Sequence, residues 1–106
     1  LLAGADSIGQ KLAFMGELSQ TVRIVNAKGL HARASAKFVN TVARLPDGTS
    51  VTVRKDGTDA AGGSILGLMM LGAARGDEIE ICVAGEEAEP ALAKLVGLVV
   101  DGFGED

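Results

Sequence analysis

His31 is the only histidine in the chain. It stands in Lys28-Gly29-Leu30-His31-Ala32-Arg33, where a strand-like pattern gives way to a helical one. An imidazole at a helix N-terminus has three chemical consequences. The free N–H groups of the first turn point towards whatever sits on the ring. The positive end of the helix dipole disfavours the imidazolium, so the ring tends to be neutral and nucleophilic. If the ring acquires a phosphoryl group, the same N–H groups and dipole stabilise the new anion. Arg33, two residues on, is placed to add charge-assisted hydrogen bonds to it. The plainer reading makes His31 a turn residue or a helix cap; the strand–Gly–His–x–Arg–helix context weighs against it.

Other chemistries are poorly supplied. One His and the lone Cys82 cannot make a zinc site without carboxylates, so no metal is expected. Cys82 lies in the apolar run Ile79 to Val83, which predicts a buried structural thiol. No serine occupies a nucleophile elbow. Gly62-Gly63-Ser64 resembles an anion-binding turn but lacks the P-loop lysine, so Ser64 is first of all an N-cap for the segment after it. That segment, Ile65 to Leu71, is apolar nearly all round, and a short helix in a small domain cannot bury every side. Some of Ile65, Leu66, Leu68 and Met70 are therefore expected at the surface, with Met69 beside them, as an adaptable partner surface. The competing reading places them in the core or under residues 1–20.

The elements that position these residues follow from periodicity. Residues 21–26 alternate, with Val22 and Ile24 on one face, as a half-buried strand does. From Ala32 the period is helical: Ser35, Phe38, Val39, Val42 and Leu45 form one side, and Arg33, Lys37, Asn40 and Arg44 the other. Pro46-Asp47-Gly48 ends that helix. Residues 50–55 alternate again, Asp56-Gly57 signals a hairpin, and 58–61 return. A short helix follows Ser64. Residues 77–83 form a strand with Ile79, Ile81 and Val83 facing one way. A last helix begins among Glu86, Glu87, Glu89 and Pro90 and buries Ala91, Leu92, Leu95, Val96 and Val99. Gly102-Phe103-Gly104 closes the pattern. The order β-α-β-β-α-β-α predicts an α+β domain with helices packed on one face of an antiparallel or mixed sheet. Residues 1–20 read as an N-terminal extension, with Asp6 or Ser7 capping a short helix that carries Ile8, Leu12 and Met15. Residues 21–106 form the domain.

At 106 residues, 47% apolar and 23% charged, one soluble globular domain is expected. A net charge of −4 with three Phe and no Trp or Tyr argues against nucleic-acid partners. No apolar run approaches a membrane span, and Leu1-Leu2-Ala3 does not open a signal peptide, so a cytoplasmic location is expected. The charge is divided unevenly. Residues 21–55 hold seven bases and one acid, and residues 77–106 hold nine acids and one base. A basic docking face around His31, including Lys37 and Arg44, would speed encounters with acidic partners.

Three segments together resemble one family. Gly29-Leu30-His31-Ala32-Arg33 opening a helix resembles the active-site segment of the HPr family, phosphocarriers of the bacterial phosphoenolpyruvate-dependent phosphotransferase system. Ser64 to Gly72 is similar to that family's regulatory-serine helix, and Gly76 to Ile81 to the strand after it. The resemblance covers residues 21–102. It departs at Ala34, where the family usually has Pro, and at Gly63, where it often has Lys. It implies an open-faced β-sandwich, a four-stranded antiparallel sheet covered by three helices, and a phosphoryl carrier with no cofactor rather than an enzyme. It implies that His31 accepts a phosphoryl group, through Nδ1, from phosphorylated enzyme I and passes it to enzyme II A components, in sugar uptake or a nitrogen-related branch. Arg33 would steady the group. Ser64 would be the target of an HPr kinase/phosphorylase in bacteria that have one. The alternative function is a regulatory binding module of the same fold, acting through Ser64 and the Met-rich helix without phosphoryl transfer.

Overall fold

The computed structural model describes residues 17–105. The elements are β1 (Glu17–Arg23), α1 (Ala32–Ala43), β2 (Ser50–Lys55), β3 (Thr58–Ala61), α2 (Ile65–Met70), β4 (Glu78–Ala84), α3 (Ala88–Val100) and a single 3-10 turn (Gly102–Gly104). The strands form one sheet in the order β1-β4-β2-β3, and every neighbouring pair is antiparallel. The three helices lie on one face, so the α+β open-faced sandwich expected from the sequence is the fold.

Strand parity builds the core. Val22, Val51, Val53, Ile79, Ile81 and Val83 point to the helical face and are buried. They meet Phe38 of α1, Leu68 of α2, and Leu92, Leu95 and Val99 of α3. Ladders of β-branched residues facing Leu and Phe from the helices satisfy both periodicities at once. At the hairpin between β2 and β3, Asp56 and Gly57 both take positive φ, 50° and 82°, as a tight primed turn requires.

Three sequence expectations are corrected. The first strand runs Glu17–Arg23, not 21–26, so residues 17–20 belong to the sheet and the boundary at residue 20 falls inside β1. Leu18, Gln20 and Val22 pair with Val83, Ile81 and Ile79, and this register carries the strand upstream. The helix suggested for Ile8, Leu12 and Met15 lies outside the described residues. Cys82 is not buried. It has the opposite parity to Ile81 and Val83, on the helix-free face of the sheet, where it is partly exposed among Ser19 and Thr52. Burial and the nearby Glu80 push its thiol up, away from thiolate chemistry.

The third correction concerns charge. The helix-free face joins the basic third of the chain to the acidic third. Arg23 meets Glu78 at 3.3 Å, and Arg54 meets Asp59 at 2.7 Å and Glu80 at 3.1 Å. Lys55 lies 3.0 Å from Asp56 and 3.9 Å from Asp77. Among the seven bases of residues 21–55, only Lys28, Arg33, Lys37 and Arg44 make no ion pair among the described residues. The basic surface is therefore smaller than the linear charge count implies.

Candidate functional site

The loop from Ile24 to His31 hangs from the sheet and is pinned at three points. Ile24 donates to the Asp77 carbonyl at 2.8 Å and accepts from Gly76 N–H at 2.8 Å, which carries the chain past the end of β1. Buried Asn26 folds the turn: its carbonyl accepts from Gly29 N–H at 3.2 Å, and its Nδ2 donates to the Gly29 carbonyl at 2.8 Å. Leu30 then donates to the Ala73 carbonyl at 3.0 Å. Gly29 has φ +62°, and a Cβ there would overlap the Ala73 carbonyl oxygen and come within 2.9 Å of Ala74 Cα. Only glycine allows both this conformation and this approach.

His31 follows as the N-cap of α1, in extended conformation with φ −77° and ψ −178°. Its side chain makes no capping bond. Ser35 N–H is the first to bond back along the helix, to the His31 carbonyl at 2.9 Å. The N–H groups of Ala32, Arg33 and Ala34 thus have no helical acceptor. Buried Ser35 stiffens this start by donating its hydroxyl to the Leu30 carbonyl at 3.2 Å.

The imidazole opens on a cleft of about 410 Å³ lined by Ala27, Lys28, His31, Arg33, Lys37, Gly104 and Glu105. Three cations and a helix N-terminus converge there, and the ring is about a quarter exposed, at 24%. This is an environment for an anion. Arg33 and Lys37 are brought to His31 as the sequence suggested, but Lys37 is not simply surface charge. Its ammonium donates to the Phe103 carbonyl at 2.6 Å. Arg44 lies elsewhere on α1, in a separate cleft with Thr41, Lys94, Gly97, Leu98 and Asp101.

The chain's far end supplies what the sequence reading missed. After α3, Gly102, Phe103 and Gly104 all have positive φ, curling the chain back over α1. The Phe103 ring is buried in the core, and Lys37 clamps its carbonyl. Glu105 is thereby delivered to the cleft with only 16% of its side chain exposed. One carboxylate oxygen lies 2.7 Å from His31 Nε2 and the other accepts from Asn26 Nδ2 at 3.1 Å. Burial raises the Glu105 carboxyl. The hydrogen bonds from His31 and Asn26, with the charges of His31 and Lys37, outweigh that and hold it below its ordinary range. A Phe between glycines just past an amphipathic helix, followed by an acid, was the available signal.

Ser64 caps α2 as expected, its Oγ accepting from Gly67 N–H at 2.9 Å. Leu68 is the buried side of this helix. Leu66 and Met70 are 67% and 75% exposed, and Ile65 and Met69 are partly so. The apolar patch therefore adjoins Ala73, on which the His31 loop is hung. Among the described residues no helix is long and apolar enough to cross a membrane.

Comparison with known proteins gives a consistent result. The PTS-HPr family model, described as the PTS HPr component phosphorylation site, matches residues 18–101. The chain is 42% identical over 88 residues to the phosphocarrier protein HPr of Neisseria meningitidis serogroup B, covering 83% of this chain and 97% of that one. It is 38% identical over 90 residues to the phosphocarrier protein NPr of Escherichia coli K12, covering 84% and 98%. An HPr crystal structure from Thermoanaerobacter tengcongensis matches with a TM-score of 0.78 at 35% identity, covering 84% of this chain and 98% of that one.

Proposed function

Because the chain belongs to the HPr family of phosphotransferase-system phosphocarriers, carriers rather than catalysts, we propose that His31 is its phosphoryl acceptor. One observation carries the reading. The imidazole stands at a helix N-terminus it does not cap, in a cleft ringed by Lys28, Arg33 and Lys37. The Nδ1 lone pair attacks phosphorus as the bond from phosphorus to the donor, phosphorylated enzyme I, breaks. The N–H groups of the first turn of α1 and the Arg33 guanidinium then hold the phosphoryl oxygens. Onward transfer to an enzyme II A component reverses the step on a new acceptor. This work is cytoplasmic, and it serves sugar uptake or the nitrogen-related branch.

The exposed patch of Ile65, Leu66, Met69 and Met70 is the docking surface for these partners, and Arg44, in its separate cleft on α1, adds positive charge that speeds their approach. Apolar anchors beside a basic cleft suit a short-lived complex, in which charge speeds encounter and a few large side chains give the contact. Ser64 is the regulatory position. A phosphate there adds about −1.5 to −2 charges at the edge of the patch and repels acidic partners.

The test uses phosphoenolpyruvate and enzyme I, comparing wild type with His31→Ala. Wild type acquires one acid-labile phosphate and His31→Ala none; equal labelling refutes the proposal. The regulatory-module alternative predicts that Ser64→Asp alters partner binding while His31→Ala leaves the protein's function intact. The exposure of Leu66 and Met70 is compatible with both readings, but the module needs neither Arg33 nor the cationic cleft.

A further inference from the structure

We propose that Glu105 is a positioning residue that decides which nitrogen of His31 is nucleophilic, and that Asn26 fixes the orientation in which it does so. The inference rests on the reading of His31 as phosphoryl acceptor. It begins from a fact that reading does not use: the 2.7 Å contact between His31 Nε2 and Glu105 Oε2. A neutral imidazole carries one proton, and a carboxylate can only accept. The contact therefore places the proton on Nε2 and leaves a bare lone pair on Nδ1. Nδ1 makes no hydrogen bond among the described residues.

Glu105 acts again as the bond forms. When Nδ1 attacks phosphorus and the donor's bond breaks, the ring keeps its Nε2 proton and takes up positive charge. The Glu105 carboxylate faces that charge directly. When the group is passed on, the Nδ1–phosphorus bond breaks and the ring departs as neutral imidazole, with no proton moved at any stage. Lys28, Arg33 and Lys37 line the cleft into which the ring opens, and among the described residues Glu105 is the only acid lining it.

Asn26 makes the arrangement directional. Its Nδ2 faces two oxygen acceptors, the Gly29 carbonyl at 2.8 Å and Glu105 Oε1 at 3.1 Å, so this nitrogen must be the donor to both. A glutamine at position 105 would have to turn its amide oxygen towards Asn26. Its NH2 group would then face Nε2, which must become an acceptor, and the ring proton would move to Nδ1. The isosteric replacement thus disables the nucleophile, whereas truncation only leaves it unselected.

The experiment compares full-length wild type, Glu105→Gln and Glu105→Ala. Ring 15N shifts of the unphosphorylated proteins are read across a pH series up to about 8.5, the Nε2–H and Nδ1–H forms being told apart by their shift patterns, together with the rate of phosphorylation by phosphoenolpyruvate and enzyme I. Wild type shows the Nε2–H form. Glu105→Gln shifts the population to Nδ1–H and slows phosphorylation about a hundredfold or more, as a wrong tautomer does elsewhere. Glu105→Ala gives a mixture and about a tenfold loss. A purely structural tail predicts the opposite order, because Gln keeps the bond to Asn26 and Ala does not. Glu105→Gln milder than Glu105→Ala, or a wild-type tautomer in both variants, overturns the proposal. The 15N measurement needs no phosphorylation, so a wild type that takes no phosphate on His31 refutes the functional reading separately.

Discussion

Substituting Gly29 with Ala tests whether the His31 loop is positioned by its close approach to Ala73, and Gly72 provides the control. Both residues are left-handed, with φ +62° and +66°. A Cβ on Gly72 meets nothing within 4 Å, whereas one on Gly29 strikes the Ala73 carbonyl and Ala74 Cα. Left-handed strain costs about 1–2 kcal/mol at either site. Gly29→Ala adds overpacking of about 1–3 kcal/mol. It also loses the 3.0 Å bond from Leu30 N–H to the Ala73 carbonyl, worth about 1 kcal/mol. The expected total is about 3–6 kcal/mol, against about 1–2 for Gly72→Ala. With no Trp or Tyr in the chain, unfolding is best followed by far-UV circular dichroism in urea. A gap of about 2–4 kcal/mol lowers Tm by roughly 10–30 °C more in Gly29→Ala than in the control. Because His31 is two residues away and moves with the loop, phosphorylation at saturating enzyme I falls about a hundredfold in Gly29→Ala and little in Gly72→Ala. Equal destabilisation by the two substitutions would refute the reasoning, since strain alone would then account for both.

Ser64→Ala removes the cap on Gly67 N–H and costs about 1 kcal/mol, seen as faster amide exchange confined to α2; an unchanged exchange rate contradicts the capping role. Replacing Leu66 and Met70 together with Ser leaves stability within about 0.5 kcal/mol, as expected for exposed positions, but weakens enzyme I binding about tenfold or more by calorimetry. Unaltered binding removes the patch from the docking surface. The Glu105 carboxyl is held below its ordinary value, so its contribution is fully present above the unfolded carboxylate pKa of about 4.3 and is lost as pH falls through the lower folded value. NMR should show the Glu105 side chain titrating below about 4.3, with the Phe103 ring signals moving in parallel as the tail lets go. A midpoint at or above the free value contradicts the docked tail.

Much of the fold is written in period and parity, because each strand and helix must bury one face and the residues that do so recur at fixed spacing. Val51 and Val53, Ile79 to Val83, the α1 stripe through Phe38, and Ser64 as a cap are all local statements that the tertiary structure repeats. His31 belongs with them, since strand, glycine, histidine and helix are consecutive in the chain. Reading composition in place of parity fails at Cys82: an apolar run suggests burial, but alternate residues of a one-sided sheet must face away from the helices.

The sequence by itself determined the α+β class, the placement of the imidazole on a helix N-terminus, and the exposure of part of a short apolar helix. Only the tertiary structure decided which groups surround that imidazole. Glu105 reaches His31 across 74 residues and Asn26 across 79, and no local pattern joins them. They meet because three left-handed residues turn the chain back and a buried Phe103 anchors the turn. Tertiary structure also decided which charges are available. Antiparallel pairing sets Arg23 and Arg54 opposite acids from the other end of the chain, and so reduces a broad basic segment to the few cations around the cleft and along α1.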